Sequence, residues 1–329
     1  MLAGEYVALR GCKVISSTIN KYFEFSLYPY NKPELKIVSS FYGRDLYFQS
    51  REDVQKISSI PLKETLLWCL DQGVDLSGYE IKESCSGNDK GGWGSSSALI
   101  LGLVYLFMNK SMSMDEILFH AYSIQRKYQG DCSGYDFVTQ RFGGIIEFSR
   151  NMDNRNLSDF YDKTTIEDRV DINKYVHVFS NEIGENTKES MNDTIFYLKK
   201  DPQRIDRLFE VSRILHDRLK DFILTDRNSS KIQQKLKDLF KIIDEQQSVF
   251  FNLSNYPEII RQVKNLDGYM EKFGIKTSGS GGVDSLLVFG KDEDIKEVSV
   301  TMKQAGWTGH DGIFSKQGIS YESLGKGSY

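Results

Sequence analysis

The stretch Lys90-Gly91-Gly92-Trp93-Gly94-Ser95-Ser96-Ser97-Ala98-Leu99 passes without a break from glycines and hydroxyls into an apolar helical pattern that continues to Met108. Glycine lets a backbone turn tightly and approach a ligand, and the first turn of a helix leaves N–H groups unpaired, so the two together form a nest for anionic oxygens. Phosphate is the natural guest. Three consecutive serines can cap the helix, and one hydroxyl is placed to reach a phosphate-bound Mg²⁺. Read by itself, the stretch fits the plain start of a buried helix equally well. No Gly-Lys-Ser/Thr follows, and the spacing is not that of the dinucleotide fingerprint, so neither of those phosphate motifs is present.

At 329 residues the chain exceeds what one core comfortably serves, and two domains are expected, 1–165 and 166–329. The 42 basic and 46 acidic residues leave a net charge of −4, which gives no sign of a nucleic-acid surface. No apolar run approaches the roughly 20 residues that a membrane span needs. Met1 to Glu5 lacks the basic and apolar regions of a secretory signal, so a cytoplasmic protein is expected, a monomer or homodimer acting on a small molecule. Cys12, Cys69, Cys85 and Cys132 show no paired spacing, which argues against zinc and against a disulfide framework and for reduced thiols.

In chain order, Tyr6–Leu9, Lys13–Ser16, Phe23–Leu27 and Leu35–Val38 read as strands of a curved N-terminal sheet. Leu62, Leu66, Leu67 and Leu70 give Pro61–Gln72 a helical face closed by Gly73, and Ile81–Ser84 is a short strand that feeds the glycine-rich loop. A second helix, Ser113–Tyr128, opens on a capping box of Ser113 and Glu116. Ser133-Gly134-Tyr135-Asp136 follows as another polar turn, then a helical turn over Phe137–Phe142 and a strand over Gly143–Phe148. Asn151–Lys174 is polar and aperiodic and reads as an excursion at the domain boundary. Beyond it come a strand at Tyr175–Phe179, helices in Asp201–Asp221, Ser230–Asn252 and Pro257–Phe273, a strand Ser285–Phe289, a helix Asp292–Ala305 and a last strand near Gly318–Glu322. An α+β sandwich follows for the second half.

Taken together and in this order, the turns resemble the GHMP kinase superfamily, the small-molecule kinases of galactose, homoserine, mevalonate and phosphomevalonate. Ala3-Gly4-Glu5-Tyr6-Val7-Ala8-Leu9-Arg10-Gly11 is similar to the first family motif. Gly92-Trp93-Gly94-Ser95-Ser96-Ser97-Ala98 is similar to the second, the ATP phosphate loop, and Gly279-Ser280-Gly281-Gly282-Val283-Asp284 to the third. Ser133-Gly134-Tyr135-Asp136 resembles the turn that carries the acidic catalytic residue in the mevalonate kinase branch. The resemblance implies an α+β GHMP kinase fold, with an N-terminal half like ribosomal protein S5 and a ferredoxin-like C-terminal half.

It also implies ATP and Mg²⁺ as cofactors and a role for each motif. Gly91, Gly92, Trp93, Gly94, Ser95, Ser96 and Ser97 would hold the ATP phosphates, and Ser96 the metal. Asp136 would accept or orient the proton of the acceptor. Glu5, Tyr6, Ser133, Gly134, Gly279, Ser280, Gly281 and Gly282 would line the acceptor site. Glu5-Tyr6, Ser278 and Asp284 look more like phosphomevalonate kinases than mevalonate kinases, so phosphomevalonate is the expected acceptor; mevalonate or a sugar is the alternative. Thr187-Lys188-Glu189 resembles a segment of both.

Two positions depart from the pattern. Mevalonate kinases carry a Mg²⁺-binding Glu eleven residues before the aspartate, where this chain has Gln125, a poorer ligand for a hard cation. Relatives also have a Gly-Lys ahead of the Gly-Glu turn, and that lysine helps neutralise the transferred phosphoryl group. The chain opens at Met1-Leu2-Ala3 without a counterpart, so the expectation is a misplaced start with the lysine encoded upstream, slow transfer without it, another cation such as Lys90 or Lys276 in its place, or a non-catalytic metabolite-binding relative. His120 is read as a surface or boundary histidine and His310 as a turn residue, with contact to substrate as the lesser alternative.

Overall fold

Runs of β-branched and aromatic residues make the strands of the first half, and their pairing decides where the site lies. The structure is a computed structural model describing residues 1–40, 42–86, 93–151, 160–181, 200–251, 257–278 and 284–321. Strands β1 (Val14–Ser17), β6 (Ile145–Arg150) and β7 (Tyr161–Ile166) form one antiparallel sheet in the order β1-β6-β7. A second sheet orders β2 (Phe23–Pro29), β5 (Tyr79–Cys85), β3 (Leu35–Ser39) and β4 (Arg44–Phe48) as β2-β5-β3-β4. Its β3 and β5 run parallel, joined by a crossover that carries α1 (Arg51–Gln55) and α2 (Ile60–Asp71).

Three helices complete this half. The apolar pattern after the serines becomes α3 (Ser95–Met108), which buries Leu99, Leu103 and Val104. The capping box forms as expected: Ser113 accepts from Glu116 N, and Glu116 reaches back to Ser113 N, starting α4 (Met114–Gln129). Gly134 in the left-handed region then starts α5 (Tyr135–Phe142).

In the second half β8 (Val176–Ser180), β9 (Phe273–Thr277), β10 (Ser285–Gly290) and β11 (Thr308–His310) form an antiparallel sheet in the order β11-β8-β10-β9. Every residue of β8, β9 and β10 is buried, because helices cover both faces. α6 (Pro202–Ile223) and α7 (Ile232–Phe250) pack on one face, through Leu215, Phe222 and Phe240 against Leu287 and Phe289. α8 (Glu258–Lys264) and α9 (Lys296–Gln304) pack on the other, through Ile260 and Met302 against Leu286 and Val288. Strand, helix, two strands, helix, strand in this spatial order is the ferredoxin-like arrangement. The larger core also takes Leu2, Ala3, Ile15 and Ile145 from the first half.

Several elements differ from expectation. Tyr6–Leu9 is not a strand: Val7–Arg10 is a 3₁₀ turn, entered at Tyr6 with φ +63° and left at Gly11 in the left-handed region. The glycines on either side fold the chain back, so that Ala3 bridges Ile15. The polar stretch 151–174 contains β7, whose polar residues stand on the open edge of the first sheet. The helix expected over Pro257–Phe273 stops at Lys264, and Gly268 turns the chain into β9. No strand forms at 318–321. A Cβ on Gly143 would come within 2.4 Å of Gly318 N, so this segment lies across the end of α5 and is held by Ile319 N donating to Gln140 O at 2.8 Å. Glu322 lies outside the described residues.

Candidate active site

The start of α3 is the first wall of the site. The ladder begins with Ala98 N donating to Gly94 O, which leaves the N–H groups of Ser95, Ser96 and Ser97 outside it. Gly94 holds φ +75°, and its carbonyl also accepts from Gln140 Nε2 at 3.1 Å, so α5 fixes the mouth of the loop. The serines then divide their roles. Ser96 is exposed and its hydroxyl meets that of Tyr128. Ser97 is buried, and its Oγ lies 3.3 Å from Gln125 Oε1 and 3.4 Å from Asp136 Oδ2; its one proton serves either acceptor. Trp93 stands edge-on to His310 at 5.2 Å, with Lys21 Nζ 5.3 Å over its ring, and His310 Nε2 meets Ser180 Oγ at 2.7 Å. Strands β8 and β11 therefore close against the loop.

Asp136 opens α5. Protein surrounds it, although part of its side chain stays open to the cleft. Burial pushes its carboxyl up; the Met1 ammonium and hydrogen bonds from Tyr135 and Ser97 work the other way without cancelling it. A carboxyl raised in this manner suits a general base. Gly134 is required just before it: φ is +82°, and a Cβ would lie 2.9 Å from the Tyr122 ring. Ser133 is buried beside it.

The floor comes from both halves. Glu5 is buried in the Gly4-Glu5-Tyr6 turn, where Tyr6 has a positive φ, a conformation that costs about 1–3 kcal/mol in a non-glycine residue. Lys276 of β9 is wholly buried; its Nζ donates to Glu5 Oε1 and, at 2.7 Å, to the Thr277 carbonyl. Burial lowers the Lys276 ammonium while Glu5 holds it up. Ser278 Oγ accepts from the Met1 α-amino group at 3.1 Å and donates to Met1 O at 3.0 Å, and Asp284 is buried across the loop. The Met1 amine and the Tyr135 phenol both feel the charges of Glu5, Asp136 and Asp284.

The structure thus gathers Glu5, Ser97, Asp136 and the start of α3. Gly91, Gly92, Gly279, Ser280, Gly281, Gly282, Lys90 and Thr187-Lys188-Glu189 lie outside the described residues. Tyr135, Gln140 and the Lys276–Glu5 pair were not expected in these roles; the signal for Lys276 was a lysine set in the apolar run from Phe273 to Ile275. His120 is half-buried, a boundary histidine as expected, and packs on Trp68 at 5.0 Å. A cavity of about 300 Å³ near β4, lined by Tyr42, Arg44 and Lys56, shares none of these side chains.

The donors fit a metal held mainly by phosphate. Mg²⁺ takes oxygen ligands and keeps several waters, so a single hydroxyl such as that of Ser96, exposed in the first turn of α3, fits beside phosphate oxygens. Among the described residues no cluster of three His, Cys, Asp or Glu offers a cage.

No protein-family model matches the chain, and no curated protein matches it. Solved structures do. A Lin0012 protein from Listeria innocua is 16% identical, with 96% of this chain and 95% of that one covered at a TM-score of 0.71. The mevalonate kinase of Methanococcus jannaschii is 19% identical, with 94% of each chain covered at 0.66. The fold is that of the GHMP kinases. The galactokinase of Lactococcus lactis, solved with galactose, shares it at 16% identity over 96% of this chain and 91% of that one, TM-score 0.63. Within the GHMP fold of this chain, the aspartate turn meets the start of α3 through Ser97. No helix of the described residues is long and apolar enough to cross a membrane.

Proposed function

We propose that the chain is an ATP- and Mg²⁺-dependent small-molecule kinase whose acceptor is phosphomevalonate. The observation that carries the kinase reading is Asp136, its charge disfavoured by burial, bonded to Ser97 in the first turn of a helix whose free N–H groups suit phosphate. Phosphoryl transfer asks mainly for positioning and charge neutralisation. The N–H groups of Ser95 to Ser97 bind and orient the phosphate chain of ATP, and the Ser96 hydroxyl would hold Mg²⁺, which would supply neutralisation of the phosphate charge. Asp136 orients the acceptor oxygen and holds its proton as the new P–O bond forms and the bond to the departing ADP oxygen breaks.

Ser278 and Asp284, both buried at the site, support the phosphomevalonate branch. Mevalonate itself is the second reading, favoured by the mevalonate kinases that share the fold. The test is ADP release measured with phosphomevalonate, mevalonate, galactose and homoserine in parallel. Turnover with phosphomevalonate above the other three is expected. Turnover with a sugar alone overturns the branch, and nucleotide binding without turnover on any acceptor leaves a non-catalytic relative.

A further inference from the structure

Lys276 and Glu5 are the most deeply buried opposite charges among the described residues, 0% and 1% exposed, and they come from different halves of the chain. Glu5 uses one carboxylate oxygen, Oε1, on the Lys276 ammonium. The other, Oε2, is buried and has no hydrogen-bond partner among the described residues. An unpaired carboxylate oxygen away from water is costly, and a donor that arrives with a ligand removes that cost. The groups that face Glu5 are otherwise engaged: the Tyr135 phenol bonds Asp136, and the Met1 amine donates to Ser278. The charges decide what kind of ligand fits. An unpaired carboxylate oxygen needs a proton donor, so a hydroxyl of the acceptor fits Oε2 and an anionic group does not.

We propose that Lys276 is a positioning residue for the acceptor: by holding Glu5 Oε1 from the second half of the chain, it leaves Oε2 as the acceptor of a hydrogen bond from a hydroxyl of the phosphoryl acceptor. The inference rests on the kinase reading. It adds that acceptor binding depends on the two halves keeping their relative place, since the charge that orients Glu5 stands on β9.

Steady-state kinetics with phosphomevalonate and Mg²⁺-ATP test it on the wild type, Lys276→Met, Lys276→Arg and the double variant Glu5→Gln/Lys276→Met. Wild-type protein that turns over no acceptor defeats the kinase reading and takes the inference with it. Given turnover, Lys276→Met raises the acceptor KM tenfold or more and leaves the ATP KM within twofold, and Lys276→Arg, which keeps the charge, recovers most of the loss. An unchanged acceptor KM in Lys276→Met, or an equal loss in both KM values, overturns the inference. Where Lys276→Met does not fold, the double variant decides, because it leaves no buried charge unpaired. Its amide lacks the ammonium that orients it, so the acceptor KM stays raised; a normal value overturns the inference.

Discussion

Asp136 is held where burial disfavours its charge, and that cost is visible in stability as well as in rate. A carboxyl raised by the fold stabilises the native state fully only below its unfolded value, and the contribution is lost as pH rises through the folded one. Asp136→Asn cannot ionise, so at pH 7 it should melt above the wild type, by roughly 1–3 °C, with the two curves converging toward pH 4. The same variant should lose about 10²–10⁴-fold in turnover, the usual worth of a positioned base. A lower melting temperature, or near-normal turnover, contradicts the role given to Asp136. Ser97 tests the neighbouring bond. Its hydroxyl helps hold the Asp136 carboxyl down, so Ser97→Ala should move the acid limb of the pH–rate profile to higher pH. Ser96→Ala, at the exposed hydroxyl, should instead raise the Mg²⁺ and ATP requirement and leave that limb in place.

Among the elements, α3 carries the site and is seated on β2 through a glycine. Gly102 lies in the helix interior, where alanine alone would add about 1 kcal/mol of helix propensity. A Cβ there, however, would lie 2.2 Å from the Phe25 ring, and forcing such contacts costs about 1–3 kcal/mol. Packing is the larger effect, so Gly102→Ala should lower the melting temperature; a rise would show that α3 can lift off β2 freely. The longer helices were legible because apolar spacing and the Ser113–Glu116 box are local signals, whereas the short α1 was not. Strands β7 and β9 were not, since β7 is polar along an open edge and β9 hides a lysine in its apolar run.

Across the two halves, the chain is joined by a core and by a charge cluster. Glu147 of β6 accepts from Lys220 Nζ of α6 at 2.6 Å and from Lys13 Nζ at 3.0 Å, with His216 Nε2 3.1 Å away. Burial pushes the Glu147 carboxyl up, but the two lysines, aided by His216, outweigh it and hold the group below its ordinary range. The sign is therefore opposite to that of Asp136: the stability is present above the unfolded value and is lost as pH falls through the folded one. Glu147→Gln should cost about 1–3 kcal/mol at pH 7 in urea unfolding, most of it through Lys220, because Lys13 is 63% exposed. The difference should shrink below pH 4, and one that persists there points to packing instead of charge.

The glycine and serine turns, the helices that follow them and, through four motifs in order, the fold are all legible in the order of residues along the chain. Each is written in residues that neighbour one another, where backbone freedom, capping and periodicity act. Three-dimensional packing alone settled that Ser97 and not Ser96 meets Asp136, that Tyr6–Leu9 turns instead of extending, and that Glu5 and Lys276 pair across 271 residues. Those outcomes depend on which groups are driven into the same buried space. There a charge must find its opposite wherever the chain supplies it, and spacing along the sequence carries no trace of that partner.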